Sequence, residues 1–313
     1  MRAPRFLPVV LCLGVVGLST SGPLARLATS PPLTIALWRL TFSLAIVAAA
    51  LAWTEEWRAF RTVSRRELGL AAAAGVALAL HFWSWIASLG LTSVAASVVL
   101  VNLHPLIIVT GSAWLLGERA TRAEGLGLVL AMVGGVIVAV GEVAPDGARP
   151  SSLVGNLLAI VGALTVGIYY VMGRHLRARL PLWSYVGLVY GACWLVVLLL
   201  VILTDAPARP TSAGDWPLFL AIAAGPMLLG HTGFNWALRY VPAYVVSLVI
   251  LGEPIGAAVL AWAVPAIGEV PSSSTLFGGA ILLCGLAVAA PVNGPQPNDR
   301  PPAHPDPQAG GPR

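Results

Sequence analysis

The sequence predicts an all-α polytopic membrane protein: ten transmembrane helices, arranged as two five-helix repeats of inverted topology. Three observations predict it. The chain of 313 residues is 58% hydrophobic and only 10% charged, against about 25% charged in an ordinary soluble domain. Apolar runs of roughly 18–24 residues recur along it, each long enough to cross a hydrocarbon core of about 30 Å. The stretch from Trp85 to Gly134 is written twice, 151 residues apart and without a gap. Trp85 returns as Trp236, Leu100 as Leu251, and Gly117-Glu118 as Gly268-Glu269; Gly127 and Gly134 return as Gly278 and Gly285. Unrelated apolar segments share many Ala, Leu and Val residues, but rarely a Trp, a Gly-Glu pair and two more glycines in one frame. A repeat unit this long marks a duplicated domain rather than a solenoid.

Helices are expected at 6–24, 33–53, 68–90, 94–116, 124–141, 153–173, 183–204, 217–238, 243–266 and 275–292. Pro31-Pro32, the charged stretch Arg58 to Glu67 and Pro181 separate them. The first resembles a cleavable signal sequence, with Arg2 and Arg5 before an apolar run. Its loss would leave the duplication incomplete, so it is expected to be retained. The first repeat is expected over 1–141, an external linker over 142–152 and the second repeat over 153–292. Residues 293–313 are Pro-rich and expected to be a disordered cytoplasmic tail.

Charge sets the orientation. All 18 basic residues are arginine. Arg39 falls inside a helix and only Arg26, Arg149 and Arg209 fall on the side opposite the N-terminus, so fourteen collect on one side. The positive-inside rule then places both termini in the cytoplasm. Five helices per half is an odd number, so the second half enters the membrane upside down, an arrangement common among secondary transporters. Arginines at helix ends read as topology signals, and no nucleic-acid partner is expected.

Catalytic chemistry finds little support. With no lysine there is no phosphate loop, and no HExxH or GxSxG motif is present. No paired carboxylates or histidine clusters favour an enzyme acting on lipid, and no cofactor or metal is expected. Cys12, Cys193 and Cys284 lie in separate apolar runs without metal spacing, and no disulfide is expected.

Polar residues within the spans carry the remaining signal. His81, Ser84, Trp85 and Ser88 fall on one helical stripe, and the repeat offset gives a second one, Thr232, Asn235, Trp236 and Arg239. Polar groups have no partners in lipid, so both stripes should face the bundle interior. They either bond neighbouring helices or line a solute cavity. Glu253 lies about ten residues into its helix, roughly 15 Å deep at 1.5 Å per residue. An intramembrane acid is a functional candidate by default, with the alternative of a neutral carboxyl bonded to a neighbouring helix. Pro254 follows it and should bend or break the helix. Its repeat mate is Asn102, near Pro105, so one half offers an ionisable group where the other offers an amide. Arg39 either snorkels to the interface or pairs with Glu253 or an anionic substrate group. His104 lies about 200° around its helix from Asn102, from the 100° per residue of an α-helix, and ranks below His81. His175, Arg174, Arg177 and Arg179 read as a plain cytoplasmic helix end. Gly252/Gly256, Gly127/Gly134 and Gly278/Gly285 form packing grooves, and these small-residue faces permit a homodimer without requiring one. Glu118 and Glu269 are interfacial and suit positioning of helix ends.

These residues resemble the EamA-type transporters of the drug/metabolite transporter superfamily over about residues 6–292. The resemblance rests on Leu37-Trp38-Arg39, Asn102 to Pro105, Leu116-Gly117-Glu118-Arg119 and Gly125. In the second half it rests on Gly252-Glu253-Pro254-Ile255, Ile267-Gly268-Glu269 and Gly278. The first helix departs from the family's aromatic-Gly motif with Gly17-Leu18-Ser19-Thr20. The resemblance implies export of small metabolites such as amino acids, or of drugs, across a bacterial inner membrane by alternating access. On that reading His81, Trp85, Asn102, Asn235, Trp236 and Arg39 contact the substrate, and Glu253 exchanges a proton for it. An uncoupled facilitator and a membrane scaffold or lipid-handling protein are the competing readings.

Overall fold

The computed structural model describes residues 3–117, 121–141, 153–268, 270 and 273–289, and every regular element among them is helical. The segments run α1 (Leu7–Leu27), α2 (Pro32–Thr54), α3 (Arg65–Leu91), α4 (94–116), α5 (Arg122–Gly141), α6 (Leu153–Arg177), α7 (Leu182–Leu203), α8 (Asp215–Ala237), α9 (Ala243–Ala263) and α10 (Ser273–Ala289). Among the described residues, eight are long and apolar enough to cross a bilayer. The apolar cores of α5 and α10, Gly125–Ile137 and Leu276–Gly285, are shorter. The expected linker at 142–152, the tail at 293–313, and Glu118 and Glu269 lie outside the described residues.

Local signals at helix ends recur between the halves. Pro31 and Pro181, 150 residues apart, precede α2 and α7 with φ of −58° and −56°, the angle a proline ring enforces. Both helices then stop at an acidic residue in the left-handed region, Glu55 at φ 57° and Asp205 at φ 52°. Gly117 and Gly268 turn the chain with φ of 70° and 63°, where a side chain would be strained. Thr34 Oγ1 at the start of α2 donates to the carbonyl of Pro207 beyond α7, 2.6 Å. Ser184 Oγ at the start of α7 donates to the carbonyl of Glu56 beyond α2, 2.7 Å. Each helix therefore begins where the other ends, so α2 and α7 lie antiparallel.

The same reciprocity holds between α5 and α10. A Cβ on Gly134 would sit 2.4 Å from the Gly278 carbonyl oxygen and 2.6 Å from Leu282 N. One on Gly285 would sit 2.6 Å from the Gly127 oxygen and 2.5 Å from Ala131 N. These distances are shorter than any tolerable contact, so only glycine lets the two backbones touch; in lipid, such close van der Waals packing is a main source of helix association. Gly256 likewise admits Ser19 of α1 against α9. Elsewhere α3 packs between α6 and α7, and α1 packs on α8. Outward faces are apolar: Leu126, Val129, Val133 and Val136 are exposed along α5, as a lipid-facing stripe requires. Beyond α2, Trp57 is flanked by the guanidinium groups of Arg58 and Arg61 at 5.7 and 5.4 Å, a pairing suited to a headgroup layer. Cys12, Cys193 and Cys284 are free thiols.

Candidate functional site

Both α4 and α9 break in mid-course. α4 divides at Asn102-Leu103 and resumes at His104 with Pro105 as its second residue; α9 divides at Leu251-Gly252 and resumes at Glu253 with Pro254 second. Proline lacks an N–H and suits the first turn of a restarting helix. At each break the backbone tightens to bonds between residues three apart, Leu103 N to Leu100 O at 3.1 Å and Gly252 N to Val249 O at 3.1 Å. The two breaks bring together the repeat mates Asn102 and Glu253. Asn102 Nδ2 donates to Glu253 Oε2 at 3.3 Å and to the Val98 carbonyl at 2.8 Å. Both side chains are buried, and Asn102 Oδ1 has no hydrogen-bond partner. A cavity of about 10 Å³ between α4, α5, α9 and α10 touches Asn102 and Pro254, room for no more than one water.

Beside this pair lies an aromatic and histidine cluster. His81 of α3 bonds through Nδ1 to the Gly162 carbonyl of α6 at 2.9 Å. The carbonyl can only accept, so Nδ1 carries the proton. The His81 ring lies parallel to Trp85, centroids 6.1 Å apart at 4°. His231 of α8 stands edge-on to Phe82 at 5.5 Å and His81 at 6.1 Å, and its Nδ1 is 3.4 Å from the Tyr170 hydroxyl. Tyr170 in turn neighbours Tyr169 and His104, with ring centroids at 4.9 and 6.1 Å. Glu253 lies within electrostatic range of Tyr170, so the carboxyl pair and the aromatic cluster adjoin. α8 reaches the cluster through an unusual segment. Residues 223–232, containing Pro226, are wound with i→i+5 bonds, a wide turn often found at functional sites.

The sequence-derived residues divide accordingly. His81, Ser84, Trp85 and Ser88 are all buried on the inner face of α3. Asn235 is buried too, but its amide is committed to the Tyr169 hydroxyl. Trp236 stands apart: it is half-buried, stacked on the exposed Phe6 at 5.3 Å and packed against Tyr240 at 4.8 Å. The wide turns upstream in α8 break the 3.6-residue period that put Trp236 on the inner stripe. Arg39 neither snorkels nor pairs with Glu253. It is 1% exposed, and its guanidinium lies 4.0 Å over the Phe82 ring. His104, set aside on a helical-wheel angle, is buried beside Tyr170; a wheel angle has no meaning across a broken helix.

Arg177 corrects another expectation. It is no solvated helix end but 1% exposed, with Nε donating to the Asn235 carbonyl at 2.9 Å and Nη1 to the Leu180 carbonyl. Arg174 donates to the Leu238 carbonyl. Arg26, the repeat mate of Arg177, donates to the carbonyls of Leu89 and Thr92. Carbonyls at the ends of α3 and α8 lack helical partners, and arginines from α1 and α6 satisfy them. Sequence reasoning also missed His231, Tyr169, Tyr170 and Tyr190. His231 falls opposite Leu80 in the repeat frame, so the duplication gave no signal for it. The tyrosines lie on α6 and α7, where no polar stripe drew attention.

The profile of the EamA-like transporter family matches residues 7–140 and again 153–290. The chain belongs to the EamA-like transporter family. It is thus a multi-pass membrane protein of a transporter family. A curated relative, the aromatic amino acid exporter YddG of Ancylobacter novellus, is 25% identical over 67% of this chain and 71% of its own length. A second, the probable terminal-alkyne amino-acid exporter of Streptantibioticus cattleyicolor, is 25% identical over 60% of this chain and 61% of its own length. A crystal structure shares the fold with a TM-score of 0.71 at 21% identity, covering 92% of this chain and 98% of that one.

Proposed function

We propose that the protein is a secondary exporter of small metabolites, amino acids or related compounds or drugs, that couples their movement to protons by alternating access. Ten spans form two inverted halves, 1–141 and 153–292, in a bacterial inner membrane with both termini cytoplasmic. Support for the inverted arrangement comes from the antiparallel, reciprocal contacts of α2 with α7 and α5 with α10, and from the two family matches. The asymmetry of the arginines supports the orientation. Both curated relatives are named as amino-acid exporters, and that supports the solute class.

The observation that carries the reading is the Asn102–Glu253 bond. It joins the two mid-membrane helix breaks, one from each half, and holds an acid where lipid cannot solvate it. A deprotonated Glu253 keeps the amide bond that holds the breaks together. A protonated one gives up part of that attraction and can accept a rearranged partner, so proton and substrate occupancy bias the halves toward opposite faces. Arg39, His81, Trp85, Tyr170 and His231 line the substrate path, while Asn235 positions Tyr169 and Trp236 guards the rim near Phe6. The membrane potential supplies roughly 2.3 kcal/mol per charge per 100 mV to such an exchange.

The test uses protein in liposomes loaded with a pH-sensitive dye, with amino acids and lipophilic cations added one at a time. Solute-dependent proton movement that vanishes in Glu253→Gln is the expected outcome. Solutes that equilibrate equally in wild type and Glu253→Gln, with no proton movement, would replace the reading with an uncoupled facilitator.

A further inference from the structure

We propose that Arg39 forms a carboxylate-binding subsite, and that the solute is a monocarboxylate carried on a flat ring. The proposal rests on the transport reading above and names the class of substrate for that same path.

Two arginines in the described chain are almost wholly buried, and they are treated differently. Arg177 has its Nε and Nη1 on protein carbonyls. Arg39 has Nε and Nη2 buried with no hydrogen-bond partner. Those two nitrogens lie along one edge of the guanidinium, the edge whose parallel N–H groups match the two oxygens of a carboxylate. Phe82 covers one face of the plane at 4.0 Å and fixes the direction in which that edge points. Among the described residues no carboxylate lies within ion-pair distance of Arg39. Its electrostatic neighbours are Tyr190, Cys193, His81 and His231. A buried cation with a free bidentate edge is costly to maintain, and an anionic ligand group offsets that cost. One permanent cation among neutral groups matches a single negative charge better than a phosphate dianion. The surrounding faces of Phe82, His81, Trp85 and His231 are flat and apolar, which suits a planar ring beside the carboxylate.

The experiment is equilibrium binding to purified protein in nanodiscs without any gradient, so its result does not depend on proton coupling at Glu253. The probes are 3-phenylpropionate, which keeps ring and carboxylate, and phenethylamine, which keeps the ring and carries an amine. Wild type should bind the acid and not the amine. Arg39→Lys, which keeps the charge but loses the fork, should weaken binding of the acid at least about tenfold, the scale of one charge-assisted hydrogen bond. Phe82→Leu should weaken it less. Equal binding of acid and amine overturns the proposal, as does failure of wild type to bind the acid or unchanged affinity in a folded Arg39→Lys. Should Arg39→Lys not fold, the acid–amine pair on wild type still decides.

Discussion

α3 and α8 occupy equivalent places in the repeat and solve the same packing problem in different ways. At one register position α3 has Gly75 and α8 has Pro226. Gly75 keeps α3 a regular helix from Arg65 to Leu91 and lets it press on α7: a Cβ there would lie 2.5 Å from Ala192 Cβ and 2.8 Å from the Val189 carbonyl oxygen. Pro226 removes a backbone donor, and the surrounding ten residues widen their turns instead. One helix is thereby a straight strut and the other a deformable arm carrying His231 to Phe82 and Tyr170. The difference shows where duplicated sequence has stayed architectural and where it has turned to the site.

The largest expected effect breaks that pair. Gly75→Leu should abolish folded protein, and Gly75→Ala should cost about 1–3 kcal/mol through overpacking, read as thermal unfolding in detergent. Pro226→Ala should leave thermal stability undiminished but depress transport, because a regular α8 turns His231 away from its partners. If Pro226→Ala transports like wild type, the wide turns have no part in the site.

The N-termini of the two helices differ next. Ser64 caps α3 locally: its hydroxyl accepts from Glu67 N at 3.2 Å, and the Glu67 carboxylate accepts in return from Ser64 N at 2.9 Å, a capping box. Its repeat mate Asp215 reaches outward instead, accepting from Thr29 N at 3.0 Å and from the hydroxyls of Thr29 and Ser30. That carboxylate ties the start of α8 to the α1–α2 connection. Asp215→Ala should therefore cost about 2–3 kcal/mol, the range for bonds to a charged group, against about 1 kcal/mol for Ser64→Ala. Equal losses would mean that Asp215, too, serves only its own helix.

The same contrast explains what was readable in the sequence. Spans and breaks announce themselves through apolar length and through Pro105 and Pro254, because backbone groups in lipid leave few alternatives. Asn102 and Glu253 could be matched by depth, since each sits at the same offset in its half. His231 could not: its repeat mate is Leu80, and a stripe drawn at 3.6 residues per turn does not survive the wide turns that follow Pro226. Arg177 read as a solvated cation because its partners are backbone carbonyls, which carry no residue type to recognise. The free edge of Arg39 depends on what surrounds it in three dimensions, and no spacing encodes that.

The smallest expected effect separates Ser84 from its mate Asn235. Ser84 Oγ bonds only the His81 carbonyl one turn back, at 3.3 Å, an interaction its own helix supplies. Ser84→Ala should change stability by less than about 0.5 kcal/mol. The Asn235 amide instead crosses to the Tyr169 hydroxyl of α6. Arg177 holds Asn235 by its backbone carbonyl, so truncating the side chain leaves that anchor in place and isolates the amide–phenol bond. A double-mutant cycle of Asn235→Ala with Tyr169→Phe should give a coupling of about 0.6 kcal/mol, the typical worth of an interhelical bond in a membrane. Zero coupling would mean that Asn235 and Ser84 are equivalent after all, and that the second half holds its aromatic cluster by packing alone.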